Sequence, residues 1–178
     1  MPRHHAVAVI PGDGIGVDVI REGRRVLAHL SDVTRSFRLD EEEFDWATAR
    51  YFAHGSYMPD DWTTVLGRFQ AIYFGAVGWP TVPDHVSLWG LLLPIRKAFD
   101  QYANVRPVRL LPGLQGRIVG KGPEQIDFVC VRENTEGEYS GVGGRVHRGT
   151  PHEVAIQDIV FTRAGTERII RYADRKST

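Results

Sequence analysis

The beginning of this chain constrains its fold more than any other stretch. Ala6 to Ile10 is an unbroken run of small and β-branched residues, "IPGDGIG" closes it with glycines at 12, 14 and 16, and Val19, Ile20, Val26, Leu27 and Leu30 then recur at helical spacing. A short apolar run bounded by glycine reads as a strand, and apolar residues three or four apart read as a helix packed by one face. A strand that passes through a tight turn into such a helix commits the chain to an α/β layout, because the helix must lie back across a sheet. The turn itself admits two readings. Helix first-turn N–H groups lack partners and attract anions, so the glycines could cradle a phosphate; equally, this is a plain turn that needs glycine's backbone freedom. The strict dinucleotide spacing G-x-G-x-x-G is not met, since the third glycine falls at Gly16 and position 17 is Val17.

Strand-like and helix-like segments go on alternating. "SFRLDEEEF" reads as a strand with a solvated acidic edge, "ATARYFAHG" as a short helix stopped by Gly55, and "MPDDWTTVLGRF" as a helix with Asp60 at its N-cap. "AIYFGAVG" is a buried strand running into a second glycine-rich loop, and "VGWPTVPDHVSLWG" carries too much Pro and Gly to be anything but an irregular surface loop. "PIRKAFDQYA" begins a helix at Pro94 and places Ile95, Phe99 and Tyr102 on one face. "VRPVRLLPG", "IDFVCVREN" and "EVAIQDIVF" are further strands, the second burying Cys130, and "RAGTERIIRYA" is a helix capped by Thr162. The pattern predicts an α/β fold with a mainly parallel sheet.

Composition narrows the function classes. With 42% hydrophobic residues over 178 positions the chain can bury a core. Its 22 basic and 22 acidic residues cancel, which removes a global field toward nucleic acid or membrane as partner. The single cysteine excludes an intramolecular disulfide, no apolar stretch approaches the roughly 20 residues of a membrane span, and the N-terminus lacks a signal-peptide apolar region. A soluble, cytoplasmic protein in a reducing compartment is the expectation.

Three arginines stand where solvation alone explains them poorly: Arg96 behind a glycine-rich loop, Arg106 before Pro107, and Arg132 ending an apolar strand. Guanidinium groups hold carboxylates through paired, charge-assisted hydrogen bonds, so three of them suit a small di-acid. Each could instead make a surface ion pair, Arg96 with Asp100 one turn on. "VRENTEGEYSG" adds Glu133, Asn134, Glu136 and Tyr139 at the end of a strand, where α/β folds assemble their sites. Tyr139 is the candidate general acid, because a phenol keeps its proton at neutral pH and can donate it.

"IPGDGIG", "YFGAVGWP", "SLWGLLLPIRKAFDQYANVRPVRLLPG" and "DFVCVRENTEGEYSGVGGR" together resemble the β-decarboxylating hydroxyacid dehydrogenases, the isocitrate and isopropylmalate dehydrogenase family, in order and spacing across nearly the whole chain. "MPDDW", "GAVGWP", "VPDH" and "SLWG" are most similar to its tartrate dehydrogenase and D-malate dehydrogenase branch. The resemblance implies that Arg96, Arg106 and Arg132 hold the substrate carboxylates and that Tyr139 protonates the enolate after CO₂ leaves. It implies NAD as cofactor, with Ile15, Gly78, Trp79 and Trp89 beside it, a divalent Mn²⁺ or Mg²⁺ as Lewis acid, K⁺ as a further ion, and a homodimer. The substrate is a 2-hydroxy acid oxidised to a β-keto acid that loses CO₂; D-malate would give pyruvate. As aligned, the isopropylmalate branch has glutamate where this chain has Trp89, and the isocitrate branch has serine and asparagine at Gly90 and Leu92, so a small substrate, D-malate or tartrate, is expected. An isopropylmalate dehydrogenase-like enzyme is the alternative within the family.

The resemblance also sets out what to expect of domains. Family members are about twice this length, and their second half carries the catalytic lysine, the metal-binding aspartates and the main cofactor loop. The chain therefore reads as an N-terminal portion of the fold, with its parallel or mixed sheet incomplete. Residues 1–103 would be the N-terminal part of a large α/β domain, and residues 104–178 the start of a second domain with a dimerisation arm at about 140–160. No metal ligand is assigned, Lys176 is given no role, and the 178 residues alone are expected to be inactive. A non-catalytic remnant keeping the arginines and the arm, and a flavodoxin-like ligand-binding module, are the competing readings.

Overall fold

A computed structural model describes residues 2–177, the side chains of Lys176 and Ser177 excepted. It divides into two units, Met1–Ile95 and Arg96–Thr178.

In the first unit β1 (Arg3–Gly12) is the middle strand of a parallel three-stranded sheet, between β2 (Phe37–Glu43) and β3 (Ala71–Ala76). Side chains alternate across a strand, so Val7 and Val9 point to one face and Ala8 and Ile10 to the other. Val7 and Val9 meet Ile20 of α1 (Ile15–Thr34), whereas Ala8 and Ile10 enter a larger core with Trp46, Tyr57, Met58, Leu66, Leu91 and Ile95. Both faces are covered, which is why the run from Ala6 to Ile10 is apolar at every position instead of alternating. The acidic end of β2 is salt-bridged from α1, Arg24 reaching both Glu41 and Glu43.

Two glycines of the first turn are required by geometry. Gly12 has φ of 75°, in the left-handed region that side chains avoid, and a Cβ at Gly16 would run into the carbonyl of Pro11 and the backbone of Ala76. Gly16 and Val17 donate their N–H groups to the carbonyls of Asp13 and Gly14. Those first amides of α1 therefore close the turn on itself, which favours the plain-turn reading over a phosphate cradle.

After β2 come α2 (Thr48–His54), ended by Gly55 at φ 74°, and α3 (Trp62–Leu66). The expected cap at Asp60 is not made. The helix starts one residue later, Asp61 makes no side-chain cap either, and both carboxylates stay exposed to water. The expected irregular loop at 77–90 is also partly helical: α4 (Asp84–Ser87) runs through a π-helical turn (Leu88–Leu92) into α5 (Leu93–Ala98). Beyond Pro83 the segment has no further proline until Pro94, and it buries Leu91, Leu93 and Ile95, so the core draws it into helix. Gly90 leaves room for the ring of Tyr57.

The second unit is antiparallel. β4 (Ala103–Arg109) pairs with β5 (Asp127–Glu133), β6 (Gly143–Val146) forms a hairpin with β7 (Val154–Gln157), and α6 (Arg163–Ser177) follows. The expectation of a mainly parallel sheet thus holds for the first unit alone. Cys130, expected to be buried, is exposed, as are Phe128 and Val129 beside it. Apolar character alone does not bury a strand that has one ladder neighbour. Thr162 does cap α6, its hydroxyl accepting from the N–H of Gly165 at 2.9 Å. No described helix is long and apolar enough to cross a membrane.

Candidate functional site

The β4–β5 register sets Asn104 opposite Arg132 and Arg106 opposite Cys130. Residues two apart on a strand share a face, so all four belong to one side of the ladder. Arg96, in the last turn of α5, and Tyr139, in the turn after β5, complete the group. The guanidinium carbons of Arg96 and Arg132 lie 5.9 and 5.7 Å from the centre of the Tyr139 ring, within cation–π reach.

The electrostatics are those of an unneutralised cluster. Burial lowers the pKa of Arg96 below its ordinary value, as do the charges of Arg132 and Arg106, against an opposing influence of Tyr139. The group stays charged at neutral pH. Among the described residues none of Arg96, Arg106 and Arg132 is paired with a carboxylate. Arg106 donates from Nε to Asn104 Oδ1 at 3.0 Å, and Arg132 from Nη2 to Asn134 Oδ1 at 2.9 Å. The Nε of Arg132 is buried with no hydrogen-bond partner. The alternative, an ion pair between Arg96 and Asp100, is not formed among the described residues: Asp100 pairs with Arg168 of α6, at 2.9 Å.

The remaining acidic residues of "RENTEGEY" build the turn. Burial raises the pKa of Glu133, but hydrogen bonds from the Glu136 N–H, the Thr135 hydroxyl and N–H, and the Asn134 N–H outweigh it and hold the carboxyl below the usual carboxylate range. Arg168 donates to Thr135 Oγ1 at 2.9 Å and lies over the ring of Tyr102. Glu136 accepts from the N–H and hydroxyl of Thr162 at the start of α6. These contacts fix the segment that carries Tyr139. Glu133 and Glu136 were legible as strand-end polar residues; Arg168, whose partners lie 33 and 68 positions away, was not.

Ile15, Gly78, Trp79 and Trp89 belong to the first unit. Ile15 opens α1 and is 67% exposed, Trp79 is bridged to Val82, and Trp89 is exposed in the π-helical turn. Asp13, buried and missed by sequence reasoning, ties the first turn to Gly78: its carboxylate accepts from Gly78 N–H at 3.1 Å, Thr48 N–H at 2.9 Å and Thr48 Oγ1 at 2.7 Å. A Cβ at Gly14 or Gly78 would meet nothing within 4 Å, so both backbones are open to close approach. Exposed apolar groups beside open backbone fit the edge of a nucleotide. A divalent metal fits less well, because among the described residues no three His, Cys, Asp or Glu side chains are grouped to hold one.

Residues 6–177 match the isocitrate/isopropylmalate dehydrogenase family. D-malate dehydrogenase [decarboxylating] of Escherichia coli (strain K12) is 60% identical over 175 residues, covering 97% of this chain and 48% of that protein. A probable tartrate dehydrogenase/decarboxylase of Agrobacterium vitis is 53% identical over 171 residues, covering 96% and 48%. Among solved structures, isocitrate dehydrogenase from Methylococcus capsulatus aligns with a TM-score of 0.75 at 28% identity, covering 95% of this chain and 46% of that one. The chain spans about half the length of the curated relatives it matches.

Proposed function

The chain belongs to the isocitrate/isopropylmalate dehydrogenase family, and on that premise we propose that its arginine cluster binds a small 2-hydroxy di-acid, D-malate or tartrate, for NAD-dependent oxidative decarboxylation. The observation that carries this reading is the convergence of Arg96 and Arg132 on Tyr139, with the charge of Arg106 felt at Arg96 and no carboxylate of the described residues to neutralise the three. Such a cluster is favourable only with an anion in it.

The three guanidinium groups hold the two carboxylates and orient the substrate carbon chain between them. NAD, when bound, would supply the hydride acceptor for oxidation of the hydroxyl-bearing carbon, the hydroxyl proton passing to a base contributed from outside the described residues. Loss of CO₂ breaks the bond to the adjacent carbon and leaves an enolate, and Tyr139 donates its phenolic proton to that carbon. Ile15, Gly78, Trp79 and Trp89 border the cofactor in this reading. A divalent Mn²⁺ or Mg²⁺, with K⁺ beside it, would be held by ligands from outside the described residues.

Residues 1–103 then belong to the large domain and 104–178 open the second. The β6–β7 hairpin exposes Val146, Val154 and Ile156, which supports its use as a dimerisation arm. The exposed thiol of Cys130 suits a reducing cytoplasm. Calorimetric titration of the folded 178-residue chain with D-malate and tartrate should give saturable binding, weakened roughly tenfold or more by Arg132→Lys, which keeps the charge but not the planar fork. Binding is expected without NAD reduction. No saturable binding of either acid would overturn the reading.

A further inference from the structure

We propose that Asn104 and Asn134 are positioning residues, a neutral hydrogen-bonded bridge that fixes the spacing of Arg106 and Arg132 and so sets the length of di-acid the site accepts. The inference rests on the reading of those arginines as carboxylate holders, and it concerns residues to which no role has been given so far.

The bridge is continuous. Arg106 Nε–H donates to Asn104 Oδ1 at 3.0 Å, Asn104 Nδ2–H donates to Asn134 Oδ1 at 3.4 Å, and Arg132 Nη2–H donates to that same oxygen at 2.9 Å. Asn134 is 5% exposed, and its own Nδ2–H is anchored to the carbonyl of Gln101 at 3.0 Å. Two donors converge on Asn134 Oδ1 while a carbonyl faces its nitrogen, so the amide has one orientation that satisfies all three neighbours. The strand register supports the same arrangement from the backbone, with Asn104 directly opposite Arg132 and two residues from Arg106.

The choice of amide over carboxylate has a physical consequence. An aspartate at either position would hold its arginine more strongly, but it would also neutralise the charge that a substrate carboxylate needs. An amide oxygen orients a guanidinium and leaves its charge available. The partnerless Nε of Arg132 points the same way: the side chain is held at one N–H while another waits, buried, for an acceptor. A rigid pair of cations presents carboxylate sites at one separation, and di-acids of other lengths must strain or leave one carboxylate unpaired.

The test is calorimetric titration of the 178-residue chain and its Asn134→Ala, Asn134→Asp and Asn104→Ala variants with D-malate, and with malonate, succinate and glutarate as a length series, each variant's fold being checked by circular dichroism. Wild type should bind D-malate and prefer one length. Asn134→Ala should weaken D-malate roughly tenfold and flatten the preference across the series, an effect that general loosening of the fold does not produce selectively. Asn134→Asp should weaken every di-acid at least as much, by charge cancellation, and Asn104→Ala should flatten the preference to a smaller degree. If Asn134→Ala does not fold, Asn134→Asp and Asn104→Ala carry the test by the same criteria. Unchanged affinity and length preference in folded Asn variants, alongside a loss in Arg132→Lys, overturns the bridge while leaving the anion site standing. Unchanged binding in Arg132→Lys as well, or no binding by wild type, overturns the site and the bridge with it.

Discussion

Replacing Asp13 by asparagine should destabilise the first unit although it changes neither size nor shape. Three donors meet the Asp13 carboxylate: Thr48 N–H on Oδ1, and Thr48 Oγ1 and Gly78 N–H on Oδ2. Asparagine offers one oxygen. Whichever way the amide turns, at least one of the two backbone N–H groups faces an NH₂ group, in a site where Asp13 and Thr48 are both buried. Losing one charge-assisted hydrogen bond and weakening the others, with a buried donor left unpaired, costs about 2–4 kcal/mol. With a urea slope of about 1–3 kcal/mol per molar, the unfolding midpoint should fall by roughly 1–2 M. Tryptophan fluorescence reads this unit alone, because Trp46, Trp62, Trp79 and Trp89 all lie within residues 1–95, and Trp46, 3% exposed, sits two positions before Thr48. A midpoint within about 0.3 M of wild type would refute the assignment of Asp13 as the tie between the first turn, α2 and the Gly78 loop.

The second unit offers a pH-dependent counterpart. Because the folded-state pKa of Glu133 is depressed, its contribution is present at neutral pH and is lost as pH falls through that lowered value, so the thermal midpoints of wild type and Glu133→Gln should converge on acidification below the usual carboxylate range; a constant gap from neutral pH to pH ~3 would contradict it. Cys130 shares the ladder face with Arg106, so a thiol reagent should label it in the native chain, and bound D-malate should slow that labelling; a thiol that reacts only after unfolding would show the face to be covered. In a catalytically competent form of the protein, Tyr139→Phe should lower kcat far more than it raises KM, since it deletes a proton donor and keeps the ring against Arg96 and Arg132; equal kcat with a raised KM would remove Tyr139 from the proton transfer.

Much of the fold was readable one segment at a time. The apolar run of β1, the helical period of α1, the stop at Gly55 and the cap at Thr162 depend on interactions within a few residues, and those interactions are written in the local sequence. The arginines and Tyr139 were legible because charge at a strand end and before a proline is locally anomalous, and family resemblance grouped them. What the sequence alone could not determine was partnership across distance. Asp100 had a plausible partner one helical turn away in Arg96, yet it pairs with Arg168, 68 positions on, which leaves Arg96 unneutralised beside Tyr139. Asn104 and Asp13 carry no local mark of their roles; the first acquires its role from the register that sets it opposite Arg132, the second from a loop 65 residues away. Cys130 sits in an apolar run that reads as buried, but burial belongs to neighbouring layers, and among the described residues β5 pairs with β4 alone and its thiol is exposed. Local propensity chose the elements, while strand register and side-chain reach across the folded chain decided which charges were paired and which were left without a carboxylate partner among the described residues.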